Sequence, residues 1–160
     1  MSAVIGILIG VLVLVRVIGR QVTGSLVTQK SLFLMPVILL AFGVLSLSSV
    51  VHTATTGELA FLVLEAVVLV GFGLARGATV RLTPTAEGLF QKGTAATLVL
   101  WLLTIGLRIG TSVAAAALWP HSPVGQASIA LTIGLTIGAQ NAMVYRRALA
   151  MNVAPAGQRA

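Results

Sequence analysis

Residues 94–118 read TAATLVLWLLTIGLRIGTSVAAAAL, an apolar run interrupted by a single charge, Arg108. At 1.5 Å per residue, a helix of this length crosses the roughly 30 Å of hydrocarbon in a bilayer. The arginine inside it is the informative residue. It stays protonated at any accessible pH, and a place near a helix centre costs about 2.5–3.5 kcal/mol on insertion scales. Such a side chain needs a buried partner or a water-filled cavity. The stretch therefore predicts a transmembrane helix that packs against others around a polar interior.

The rest of the chain agrees. Of its 160 residues, 58% are hydrophobic and 8% are charged, against about 45–50% and about 25% in soluble domains. That composition excludes a water-soluble globule. The formal net charge is +7, but the basic residues fall between apolar runs, as topology signals do, so no nucleic-acid partner is expected. There is no cysteine, hence no thiol–disulfide chemistry within the chain. Arginine outnumbers lysine eight to two, and Ala, Val and Gly are abundant. This fits a GC-rich bacterial genome and a multi-pass protein of the bacterial cytoplasmic (inner) membrane.

Five segments are long and apolar enough to span: 3–19, 32–51, 58–75, 94–118 and 124–148. The first charge, Arg16, follows rather than precedes the first run, so 3–19 reads as a retained span and not a cleaved signal. Arg16 itself would snorkel to the interface. Thr55-Thr56-Gly57-Glu58 fits a capping box, with Glu58 as the cap residue. Ser122-Pro123 supplies an N-cap and a first-turn proline, and Pro36 lies near the start of the second segment. Nine of the ten basic residues flank the first and third connections or follow the last segment; the tenth is Arg108. The second and fourth connections have none. The positive-inside rule then gives an outside N-terminus and a cytoplasmic C-terminus, with Trp119 and Tyr145 as interfacial anchors. The expected fold is an all-α integral membrane protein, a single domain over 1–150 with a short tail at 151–160.

The third connection breaks this pattern. Residues 79–83, TVRLT, alternate; 84–88 carry turn chemistry; and 89–92, LFQK, resume the strand pattern. This predicts a short cytoplasmic β-hairpin between the third and fourth helices. Isolated hairpins are marginal in water, so it would rest on the bundle or on headgroups. Arg76, Arg81 and Lys92 would form a basic cytoplasmic face there, meeting anionic lipid or a docking partner.

Arg108 has one candidate counter-charge. Glu65 is the only acid well inside a segment, and the two residues lie about 10 Å and about 15 Å from the outer side at 1.5 Å per residue. Around Arg108, steps of three and four place Thr94, Thr97, Trp101, Thr104 and Thr111 on one stripe, with Gly106, Gly110 and Ala114 opposite. The last segment repeats the layout with Ser128, Thr132, Thr136 and Gln140 against Ala130, Gly134, Gly138 and Ala142. Small residues at such spacing let helices approach closely, within the chain or between two copies. Gly6 and Gly10 offer another such groove. The charged pair is read first as a structural lock. A sharper alternative is an outward-facing polar pocket of Ser46, Ser49, Glu65, Arg108, Thr111 and Thr132 that binds a small anion or a lipid headgroup. Threonines that bond their own backbone would weaken that alternative. His52 and His121 stand apart at outer ends, and no metal or other cofactor is expected.

Residues 76–108, RGATVRLTPTAEGLFQKGTAATLVLWLLTIGLR, carry a resemblance. An Arg-Gly pair after a span, a basic hairpin-like segment, glycines, a Trp in the next span and then an intramembrane Arg fall at Arg76, Gly77, Arg81, Gly88, Gly93, Trp101 and Arg108. This stretch, about a fifth of the chain, resembles the CcdC-like family of small bacterial polytopic membrane proteins. The resemblance implies four or five spans and a link with cytochrome c maturation, but no established activity, substrate or cofactor. Without cysteine or a haem-attachment motif, any redox role would belong to a partner. The leading expectation is a non-enzymatic accessory, assembly or partner-binding protein, associated with the bilayer and with a membrane-protein partner or a second copy. The alternative is an oligomeric transporter or channel-like protein using the Glu65/Arg108 seam.

Overall fold

Apolar runs in lipid have no water to satisfy their backbone, so each must close its own hydrogen bonds as a helix. The computed structural model describes residues 19, 23–27, 29–86 and 88–151. Apart from Gly19, the first predicted segment, with Gly6, Gly10 and Arg16, lies outside the described residues, as do Arg20, Arg159 and the rest of the tail after 151. A two-residue strand, β1 (Ser25–Leu26), leads into α1 (Gln29–Ser48) and then a 3-10 turn at Val51–Thr53. Helix α2 (Thr56–Thr79) follows, then strands β2 (Arg81–Thr85) and β3 (Gly88–Lys92), helix α3 (Ala95–Leu118), the single turn α4 (Val124–Ala127) and α5 (Ile129–Ala150). Three helical stretches, Thr56–Thr79, Ala95–Leu118 and Val124–Ala150 taken across the join at Ser128, are long and apolar enough to cross a membrane; α1 contributes a shorter apolar run, Leu32–Ser48.

Helix boundaries follow local chemistry. At the start of α2 the Thr55 hydroxyl accepts from the Glu58 amide at 3.3 Å while the Glu58 carboxylate accepts from the Thr55 amide at 2.6 Å, the expected capping box. A second box opens α3, where Thr94 and Thr97 reciprocate. At the other end α2 runs past residue 75 to Thr79. Its final carbonyls would be orphans, but Arg147 donates at 2.7 Å to both Gly77 O and Val80 O.

Helix α5 is central: α1 packs on one side, α2 on the other, and α3 lies beyond α2. Glycines allow both close approaches. A Cβ on Gly43 would overlap Leu131, and one on Gly134 would sit 3.0 Å from Leu40 N, along the α1–α5 contact. Across the α2–α5 contact, a Cβ on Gly73 would overlap the Thr136 carbonyl, and one on Gly77 would lie 2.5 Å from Gln140 O. Gly138 completes the expected small-residue track against Pro36. Gly106 and Gly110 do not behave as expected. Both are exposed with nothing within 4 Å of a built Cβ, because α3 turns its Thr97 and Thr104 side inward and its glycine side away.

Pro36 also differs from expectation, since α1 begins at Gln29 and places it inside the helix. A proline there offers no N–H to the carbonyl four residues back. That carbonyl, Leu32 O, is instead met by the Asn141 side-chain amide of α5 at 2.7 Å.

The predicted hairpin is present, with β2 and β3 antiparallel from Thr85↔Gly88 to Arg81↔Lys92. The sequence did not indicate β1, which adds to the other edge of β3 through Ser25↔Gln91 and Leu26↔Phe90 and makes a sheet of order β1-β3-β2. The turn into β1 uses Gly24 at φ +78°, where a Cβ would also collide with the Phe90 ring. Leu89 buries completely among Val27, Leu32, Val144 and Ala148, so the sheet closes one end of the bundle. Tyr145 packs against this core and meets Phe33 edge-on at 5.3 Å.

Candidate functional site

The stripe read from α3 as one seam separates into two centres. At the end of the bundle away from the sheet, Glu65 of α2 meets Arg108 of α3. Nη1 of Arg108 donates to both carboxylate oxygens at 2.7 and 2.8 Å, and the Thr111 hydroxyl donates to Oε1 at 2.5 Å. The Arg108 Nη2 donates to Gly125 O at 3.0 Å, which ties the pair to α4. The carboxylate is almost enclosed at 4% exposure while the arginine retains 19%. That asymmetry opens the pair on one side to a cleft of about 280 Å³, lined among others by Glu58, Phe61, Ser112, Trp119 and Ser128. Trp119 packs on Phe61 with centroids 5.8 Å apart and forms a wall of the cleft.

Only part of the expected pocket assembles here. Glu65, Arg108 and Thr111 come together, but Ser46, Ser49 and Thr132 do not line the cleft. Ser49 donates to Ser46 O at 2.7 Å, and Thr132 is fully buried with its hydroxyl on Ser128 O and Ile129 O at 3.1 Å. In each case a short hydroxyl side chain finds its own helix carbonyl first. Ser122 and the Gly125 carbonyl join instead, and the carbonyl had no signal in the sequence because any residue supplies one.

The second centre lies toward the sheet and is built around Arg76. Arg76 does not join Arg81 and Lys92 on the basic face expected from the sequence. Because α2 continues to Thr79, steps of three and four carry Leu62, Glu65, Leu69, Gly73 and Arg76 along its buried side. The Arg76 side chain has no exposure at all. Its guanidinium carbon stacks 3.9 Å over the centroid of the Trp101 ring. Nη2 donates to the Thr136 hydroxyl at 2.9 Å and Nη1 reaches the Thr104 hydroxyl at 3.5 Å. Trp101 and Thr104 thus serve Arg76, not Arg108. Arg81 and Lys92 are exposed as expected, and they face each other across the hairpin. Thr79, Thr94 and Thr97 knot the hairpin to α2 and α3, with Thr94 donating to Thr79 O at 3.0 Å and the Thr79 and Thr97 hydroxyls 3.1 Å apart.

No family model, curated protein or solved structure matches the chain.

Proposed function

We propose that this chain is a non-enzymatic membrane protein of the accessory or assembly kind, held in a bacterial cytoplasmic membrane and acting by binding a membrane partner. On this reading residues 3–19 add a fifth span, the N-terminus lies outside, and the sheet end faces the cytoplasm. Arg81, Lys92, Arg146 and Arg147 collect at that end, as the positive-inside rule asks. The CcdC-like resemblance of residues 76–108 is consistent with this assignment.

The observation that carries the reading is the closure of Glu65. A carboxylate has about four acceptor positions, and three are occupied by Arg108 and Thr111 at 2.5–2.8 Å. A general base or ion carrier needs lone pairs that it can present to a substrate. Glu65 spends most of its own on holding α2 to α3. Neutralising one member of such a pair strands the other in a low-dielectric setting, whereas neutralising both removes the conflict.

The test is a cycle of Glu65→Gln, Arg108→Gln and the double variant, with thermal stability followed in detergent. A structural pair lowers stability in each single variant and recovers most of it in the double. Equal stability in all four proteins would refute the structural role. A second reading, an oligomeric transporter or channel-like protein, is favoured by the cleft beside the pair. It requires solute flux in proteoliposomes that Glu65→Gln abolishes.

A further inference from the structure

We propose that Arg76, Trp101 and Gln140 form a binding site for a small monovalent anion of the halide type, lodged inside the bundle near the sheet end. The site is distinct from the Glu65–Arg108 pair and does not depend on its role. Arg76 is a permanent cation with no solvent contact, and among the described residues no carboxylate reaches it. All of its hydrogen-bond partners are neutral: Thr104, the Thr136 hydroxyl and the Thr136 carbonyl. An isolated buried charge is strongly disfavoured without compensation. Cation–π stacking on Trp101 offsets part of that cost, but the charge has no counter-ion and its Nε–H has no acceptor.

The orphaned atoms mark where compensation is missing. Among the described residues, three buried side-chain polar atoms lack any partner: Arg76 Nε, Trp101 Nε1 and Gln140 Oε1. The first two are N–H donors carried by the two stacked groups, and the proposed ion is the acceptor shared between them. Gln140 stands one turn from Thr136 on the same face of α5, and Thr136 already holds Arg76. The amide oxygen and nitrogen of a glutamine are interchangeable by a half-turn, which brings N–H donors to the position of Oε1. A cation, two N–H donors and an adaptable amide, with no acidic side chain beside them, complement a negative charge. Complete burial of Arg76 favours a small dehydrated ion over a lipid headgroup.

The experiment uses the full chain in detergent with Trp119→Phe, which leaves Trp101 as its one tryptophan. Trp101 fluorescence is titrated with bromide and iodide, and thermal stability is compared in sodium chloride and sodium gluconate at equal ionic strength. The site predicts saturable quenching that chloride displaces. It also predicts that chloride at tenfold half-saturation raises Tm by roughly 3–6 °C over gluconate. Gln140→Leu should weaken the half-saturation by roughly tenfold or more, and Arg76→Gln should abolish it. Arg76→Lys, which keeps the charge but loses the planar edge, covers the case in which Arg76→Gln fails to fold and should also lose saturation. Linear, unsaturable quenching with equal Tm in chloride and gluconate would overturn the proposal and leave water as the partner of these atoms. Stabilisation by phosphatidylglycerol bilayers and not by halide would overturn it too, by assigning the site to a headgroup phosphate.

Discussion

Removing the Asn141 amide should cost this protein most while residue 36 is a proline. The Asn141 side chain donates at 2.7 Å to Leu32 O, the carbonyl that Pro36 leaves without its helical partner. Truncation to Asn141→Ala strands that carbonyl in an apolar setting, and a buried unpaired acceptor costs about 1–3 kcal/mol. In a Pro36→Ala background the new backbone N–H reaches Leu32 O within the helix, so the same truncation should cost less than about 1 kcal/mol, since most of that penalty no longer applies. The coupling between the two positions is then about 1–2 kcal/mol, or a factor of roughly 5–30 in the folded-to-unfolded ratio. Unfolding by sodium dodecyl sulfate in mixed micelles, followed by tryptophan fluorescence in all four proteins, measures it. Equal costs for Asn141→Ala in both backgrounds would refute the reasoning, because the amide would then be acting elsewhere.

Three further outcomes follow from the same geometry. Gly73→Ala should destabilise by about 1–3 kcal/mol, since its Cβ meets the Thr136 backbone and overpacking of this kind forces shifts; Gly106→Ala, with no neighbour, should be neutral or up to about 1 kcal/mol stabilising through helix propensity. Thermal unfolding in detergent compares them, and matching losses would contradict the assignment of inner and outer faces. Arg147→Gln should fray the last turn of α2 by removing two short bonds to Gly77 O and Val80 O, at about 1.5–3 kcal/mol for a charged donor; amide exchange at residues 76–80 reads it, and unchanged protection would exclude the capping role. Leu89→Asp should unseat the sheet while sparing the helices, because Leu89 has no exposure and a buried unpaired carboxylate is not tolerated. Protease cleavage between residues 80 and 93 with unaltered helicity is the expected result, and a resistant hairpin would count against the docking.

What the sequence revealed depended on scarcity and on local pattern. Glu65 could be matched to Arg108 because it is the sole acid deep in a segment, and the Thr55–Glu58 box and the 81–92 hairpin rest on neighbouring residues. Contacts distant along the chain left no such trace. Two residues of β1 carry no alternation, and their partner lies beyond two helices. A cation after an apolar run usually ends a span, which puts Arg76 in a connection; contacts from distant helices, Arg147 on the carbonyls of Gly77 and Val80 and Thr104 and Thr136 on Arg76 itself, accompany the extra turn that carries it inside. The spacing of Gly106 and Gly110 permits close packing without determining which helix face receives a neighbour, and here the inward face is the hydroxyl-bearing one. Likewise, the threonine stripe showed which residues share a face but not that Arg76 would claim half of it.

The order of strands also bears on how the protein is made. Residues 25–26 leave the ribosome early, yet the strand they pair with, at 88–92, is synthesised only after α1 and α2. Val144 and Ala148, which cover Leu89, come later still. A nascent chain therefore holds its first strand without a neighbour while α1, α2 and the hairpin are made, and the basic end is sealed only when the last helix arrives. The sheet is in effect a latch that registers completion. Chains stopped before α5 would have all three strands to pair but would leave Leu89 without the cover of Val144 and Ala148, an apolar face open at the basic end.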